Sequence, residues 1–151
     1  MIHPDRRPVD LRRLDAMARV LRHRGPDDSG TFEDGHVGFG FKRLSVIDVH
    51  HGRQPMTTRD GRFTIVFNGE IFNYIELKQM LEMEGVPLAT SSDTEVLLQL
   101  LASKGLDGLS LLNGMFSFVL WDRQNQRIVF ARDRAGIKPL YYYQDHKRII
   151  I

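Results

Sequence analysis

Met115-Phe116-Ser117-Phe118-Val119-Leu120-Trp121 is apolar at every position except Ser117. A strand with one face in water alternates apolar and polar residues, so a run this uniform and this short reads as a strand covered on both faces. Asp122-Arg123-Gln124-Asn125-Gln126 then supplies a hairpin turn, and Ile128 to Arg132 a partner strand. Leu140 to Tyr143 and Arg148 to Ile151 read as two more strands about a turn at Gln144-Asp145-His146. The Tyr141-Tyr142-Tyr143 run reads as core and edge packing.

Upstream the period changes. Ser92-Asp93-Thr94-Glu95 has the cap-x-x-Glu pattern of a helix start and precedes Val96, Leu97, Leu100 and Leu101, with Gly105 as the stop. Asn73-Tyr74-Ile75-Glu76 repeats the device before Leu77, Met80 and Leu81, and Gly85 ends that helix. Before the helix pair, Arg62 to Phe67 and His36 to Ile47 have strand character, and Gly52 to Gly61 reads as the loop between them. Asp10 to Leu21 places Leu11, Leu14, Ala18 and Leu21 at helical spacing, with Asp10 as cap and Gly25-Pro26 as stop. Strands, a helix pair and strands joined by tight turns predict an α+β fold with antiparallel sheets, not βαβ units.

Length and charge exclude several classes. The 151 residues, 42% hydrophobic, suit one domain over 1–151 with a single core. Twenty-one Lys and Arg against nineteen Asp and Glu leave a net charge of +2, with both signs interspersed, which argues against nucleic-acid binding. No apolar run reaches the roughly 20 residues that span a bilayer, and Met1 to Arg7 has no signal-peptide core, so no membrane association and a cytoplasmic location are expected. The absence of Cys removes disulfides, Cys zinc sites and any thiol nucleophile from these residues. His50-His51 is not read as a metal pair, because adjacent strand residues point to opposite faces.

Taken singly, the polar motifs have ordinary readings. Asn68-Gly69 is first a hairpin signal, Asp93 a helix cap, and Arg43 beside Lys42 a surface charge. The joint pattern is more specific. His23-Arg24-Gly25-Pro26-Asp27, Lys42-Arg43-Leu44-Ser45-Val46-Ile47-Asp48, Asn68-Gly69-Glu70-Ile71-Phe72-Asn73-Tyr74, Ser92-Asp93-Thr94-Glu95, Leu112-Asn113-Gly114-Met115-Phe116 and Ala131 to Tyr142 follow one another in this order. Together they resemble the class II glutamine amidotransferase domain, of N-terminal nucleophile hydrolase type, of glutamine-hydrolysing asparagine synthetases.

That resemblance implies a four-layer αββα sandwich of two antiparallel sheets. It also implies hydrolysis of glutamine to glutamate, with the ammonia passed to a C-terminal domain that amidates aspartate using ATP. Glutamine's α-carboxylate needs a cation, and the family's arginine matches Arg43. The α-ammonium needs acceptors, which match Asp93 and Glu70, while Leu44 and Val46 match further substrate-binding positions. The oxyanion hole matches the Asn68 side-chain amide and the Gly69 N–H.

The chain departs from this pattern where the family begins Met-Cys-Gly-Ile, since that cysteine supplies both nucleophile and base. Most of a first strand and the synthetase domain, with its Ser-Gly-Gly-x-Asp-Ser loop, are therefore expected to be missing from these 151 residues. ATP and Mg are expected only in that second domain, and no metal or cofactor in this one. Phe72 replaces a usual Tyr, and Ala135 a larger apolar residue. Glutamine and the synthetase domain are the expected partners, and a homo-oligomer stays open. Three readings follow: a glutaminase domain whose nucleophile lies upstream, a degenerate domain that binds glutamine without hydrolysing it, or a structural partner domain. A related synthetase with another ammonia acceptor is a variant of the first.

Overall fold

Asp10 accepts the backbone N–H groups of Arg12 and Arg13 and so caps α1, Leu11–Val20, as its sequence predicts. The chain is described by a computed structural model over residues 1–23, 25, 28–43 and 53–151, without the side chain of Arg43. The Gly25-Pro26 stop, the strand reading beyond Arg43 and the His50-His51 pair therefore lie wholly or partly outside the described residues.

Two units form, one from Met1–Val46 with Leu140–Ile151 and the other from Ile47–Pro139. In the first, β1 (Asp28–Asp34) and β2 (Val37–Arg43) make an antiparallel hairpin turned by Gly35 at φ 58. Sequence reading missed β1, because Asp28, Ser29, Gly30, Glu33 and Asp34 hide its alternation. Helix α1 lies on β2 where the strand carries Gly38 and Gly40: a Cβ on Gly38 would sit 3.1 Å from Leu14 Cδ2, and one on Gly40 3.2 Å from Ala18 Cβ. Glycine's missing side chain sets this close approach, and Leu14 and Ala18 are buried there.

The second unit holds a four-stranded antiparallel sheet in the order β3 (Met56–Thr57), β4 (Phe63–Ile71), β5 (Gly114–Asp122) and β6 (Arg127–Arg132). The segment read as a plain loop over Gly52 to Gly61 thus contains a short strand, too brief to show a period. Strand β5 is buried from Phe116 to Asp122, with Trp121 only 1% exposed, as its uniformly apolar sequence requires. Phe63, Ile65, Phe67 and Ile71 of β4 join Phe116, Phe118 and Leu120 of β5 in one core with helices α2 (Tyr74–Met83) and α3 (Asp93–Lys104). Leu77 and Leu81 from α2 and Val96, Leu97, Leu100 and Leu101 from α3 complete it.

The caps differ from their sequence reading. Ser92 caps α3 through the Glu95 N–H, but the Glu95 carboxylate does not close the box: it accepts the backbone N–H groups of Ala89 and Thr90 and the Thr90 hydroxyl. Asn73 makes no side-chain cap at all. Its amide instead donates to Leu111 O at 2.9 Å and accepts from Asn113 N at 3.0 Å, tying the start of α2 to the strand entry across the sheet. A 3-10 turn, Gly105–Leu111, precedes that entry and was not foreseen.

After β6 the chain is organised by Asp133, which is buried. Its carboxylate accepts from Phe116 N at 3.1 Å, Ile137 N at 2.9 Å and Lys138 N at 3.0 Å, fixing the loop onto β5. Back in the first unit, β7 (Tyr143–Gln144) and β8 (Ile149–Ile150) form a short hairpin. Ile2 bridges β2 at Val37 and β8 at Ile149, so residues 1–3 occupy a strand position between them. Leu140 to Tyr142 are not strand, and Tyr141 is 82% exposed, which corrects the core-packing reading of the tyrosine run. Asp145 explains the turn instead, accepting from the Lys147 and Arg148 amides.

The amides around Asp133, Lys138 foremost, hold its carboxyl down to about 2 against the opposing cost of burial. A folded-state value below the ordinary one contributes stability in full above about pH 4, lost as pH falls through about 2. Asp133→Asn is therefore expected to lower the melting temperature at pH 7, and the gap between variant and parent should close between pH 4 and 2 in thermal scans.

Candidate functional site

The last turn of strand β4 gathers three of the predicted residues. Asn68 and Glu70 project from one face, opposite the face on which Phe67 and Ile71 enter the core. Asn68 is exposed and Glu70 half-buried. The reading of Asn68-Gly69 as a hairpin turn is overturned: both lie inside the ladder, where Asn68 faces Ser117 and Gly69 faces Phe116.

Backbone alternation decides what Gly69 presents. Phe72 N donates to Asn113 O, and Phe116 exchanges bonds with Asp133 on its far side, so Gly69 and Phe116 form a pair without mutual hydrogen bonds. The Gly69 N–H therefore points away from β5. On that edge Phe67 N donates to Gln54 Oε1 at 2.6 Å and Ile71 N to Asp93 Oδ2 at 3.2 Å, and Gly69 lies between them with no described acceptor. Gly69 has φ 157, and a Cβ there would collide with the Met115 carbonyl oxygen. Gly114 is needed for the reciprocal reason, since its Cβ would strike the Glu70 carbonyl oxygen. Two glycines on facing strands thus set the spacing at the site.

Asp93 is the first residue of α3, not its cap. Burial pushes its carboxyl above the ordinary value, and the charge of Glu70 acts in the same direction; the Ile71 and Thr94 amides and the Thr94 hydroxyl oppose this. Two carboxylates are therefore held together at the end of β4, the arrangement a cationic group would relieve. Arg43 is the last residue of β2, paired in register with Asp28, and its side chain is outside the described residues, as are Leu44 and Val46. A groove of about 750 Å³ opens elsewhere in the second unit, lined by Leu112, Phe116, Arg132 and Ile137 among others, and none of Asn68, Glu70 or Asp93 lines it. Gln54 is the polar residue that sequence reading missed at this site. Its signal was weak, one amide in a segment with no period.

The structure resembles the glutamine phosphoribosylpyrophosphate amidotransferase of B. subtilis with a TM-score of 0.59 and 28% identity, over 73% of this chain and 26% of that one. The chain belongs to the glutamine amidotransferase domain family, which it matches over residues 2–151. It is 48% identical to the glutamine-hydrolysing asparagine synthetase 1 of Bacillus subtilis strain 168 over 93% of this chain and 22% of that protein. The same organism's asparagine synthetase 2 is 43% identical over 85% of this chain and 17% of its own length. The chain thus spans about a fifth of these relatives. Among the described residues no helix is long and apolar enough to cross a membrane.

Two predictions follow from the geometry. Gly69→Ala adds a clash and a disfavoured φ, and is expected to cost about 1–3 kcal/mol in urea unfolding. Asp93 behaves oppositely: with its carboxyl raised, stability falls as pH rises from the ordinary aspartate range through the raised value. Asp93→Asn should accordingly leave the melting temperature at pH 7 unchanged or higher, and flatten its pH dependence in that window.

Proposed function

We propose that the chain is the glutamine-binding part of a glutamine-dependent amidotransferase, with an asparagine synthetase as the parent enzyme. The observation that carries this is the Gly69 N–H, turned outward on a strand edge, with the Glu70 and Asp93 carboxylates at the end of that strand. An outward backbone donor and the Asn68 amide suit the oxygen of a side-chain amide, which gains charge when its carbon becomes tetrahedral. The carboxylates suit an α-ammonium. Arg43, on this reading, grips the α-carboxylate through two parallel hydrogen bonds. Ammonia released from glutamine would pass to a second domain of the full enzyme, where ATP and Mg activate aspartate; the identities with asparagine synthetases support that acceptor.

Binding without hydrolysis is the second reading, in which the glutamine pocket is kept and the covalent chemistry is not. These 151 residues hold no thiol for the covalent route, so no glutamate release above background is expected from them. Glutamate formation at enzymatic rates, abolished by Asn68→Ala, would refute that. Calorimetric titration with glutamine tests the pocket itself. Arg43→Ala is expected to cost about 1.5–3 kcal/mol, more than tenfold in affinity, and Asp93→Asn a similar amount. Lys42→Ala, one residue away on the opposite strand face, should change little. Equal affinity in all variants would mean that glutamine binds elsewhere.

A further inference from the structure

From Phe63 to Phe67 the edge of strand β4 is closed at every second residue, each time by a different kind of group. Thr58 Oγ1 accepts from Phe63 N at 3.0 Å, and β3 pairs Met56 with Ile65. The next donor, Phe67 N, meets a side chain: Gln54 Oε1 at 2.6 Å. Gln54 stands two residues before Met56 and substitutes its amide for the backbone partner that a longer β3 would supply. Strand pairing therefore stops short of Gly69.

The other end of the same amide has a second partner. Gln54 Nε2 donates to Thr94 Oγ1 at 3.3 Å, and both residues are buried, Gln54 at 9% exposure. A hydroxyl that accepts from an amide N–H keeps its own proton free to donate, and Thr94 directly follows Asp93 at the start of α3, where its side chain favours the charged form of the Asp93 carboxyl. Donation thus runs from Phe67 N–H to Gln54 and from Gln54 N–H to Thr94, the residue after Asp93.

We propose that Gln54 is a positioning residue of the glutamine site, acting through Thr94 to aim Asp93 while it ends strand pairing beside Gly69. The inference rests on the functional reading above for its ligand, but not for its geometry. Gln54 itself touches no substrate. It couples the strand that carries Asn68 and Gly69 to the helix start that carries Asp93, and both must be in register for one ligand to reach them.

Two readouts separate this role from simple packing. The first needs no ligand: carbon-13 NMR titration of the Asp93 carboxyl in the parent chain, Gln54→Met, Thr94→Val, Thr94→Ser and the Gln54→Met/Thr94→Val double variant. Losing the hydroxyl's support of the charged form should move the Asp93 titration further upward in Gln54→Met and Thr94→Val. Thr94→Ser, which keeps the hydroxyl, should titrate like the parent. The double variant should match Thr94→Val alone, because Gln54 acts through that hydroxyl. The second readout is glutamine affinity at neutral pH, expected to fall about fivefold or more in Gln54→Met. Asn68→Ala should then cost less in the Gln54→Met background than in the parent.

An unchanged Asp93 titration in folded Gln54→Met, or shifts that add in the double variant, would overturn the proposal. So would additive affinity losses in the Asn68 cycle. Should Gln54→Met not fold, an unmoved Asp93 in Thr94→Val overturns it as well. A parent chain that binds no glutamine defeats the functional reading, and the Asp93 titrations still decide the role of Gln54.

Discussion

The pairing of β4 with β5 is the constraint on which the second unit depends. It runs unbroken from Phe63 opposite Asp122 to Ile71 opposite Gly114. Each buried peptide group left unpaired would cost on the order of 1–3 kcal/mol, so a ladder this deeply buried admits no slip of register. A one-residue shift would turn Phe63, Ile65, Phe67 and Ile71 away from the helices and put Asn68 and Glu70 into the apolar core. Hydrophobic burial and site geometry are thus specified by the same register.

At its polar end the ladder gives up side-chain volume for proximity. Gly69 and Gly114 leave no Cβ where each strand meets a carbonyl oxygen of the other. Glycine costs backbone entropy in a strand, and apolar residues at those two positions would add nothing but collision. The gain is an outward amide at Gly69 and a fixed place for Glu70 next to Asp93. Burial and a like-charged neighbour both oppose the charged form of Asp93, an arrangement that weakens the fold and suits a cationic group.

Around this end, polar side chains replace main-chain partners wherever the regular elements stop. Gln54 continues the strand edge, Asn73 joins two chain segments, Glu95 receives the turn before α3, and Asp133 gathers the loop after β6. Asn73, Glu95 and Asp133 each satisfy two or more backbone groups at once, which is how short elements end without orphaned donors.

The elements with a strong period were legible from residues alone. The uniformly apolar Met115 to Trp121 run required a strand covered on both faces, and the Asp10 and Ser92 caps marked two helix starts, because both signals are local. The ordered motifs from His23 to Tyr142 pointed to the family, and the match over residues 2–151 agrees. Long-range partners could not be read in the same way. Asn73 looked like a cap, Asn68-Gly69 like a turn and Glu95 like half of a capping box, since each motif fits its neighbours in sequence equally well. Only tertiary structure decided that Asn73 serves residues 111 and 113, that Gly69 sits inside a ladder opposite Phe116, and that Gln54 reaches Thr94 forty residues away. The physical reason is that a hydrogen-bonding side chain takes whichever polar group within reach lacks a partner, and which group that is depends on where the strands end.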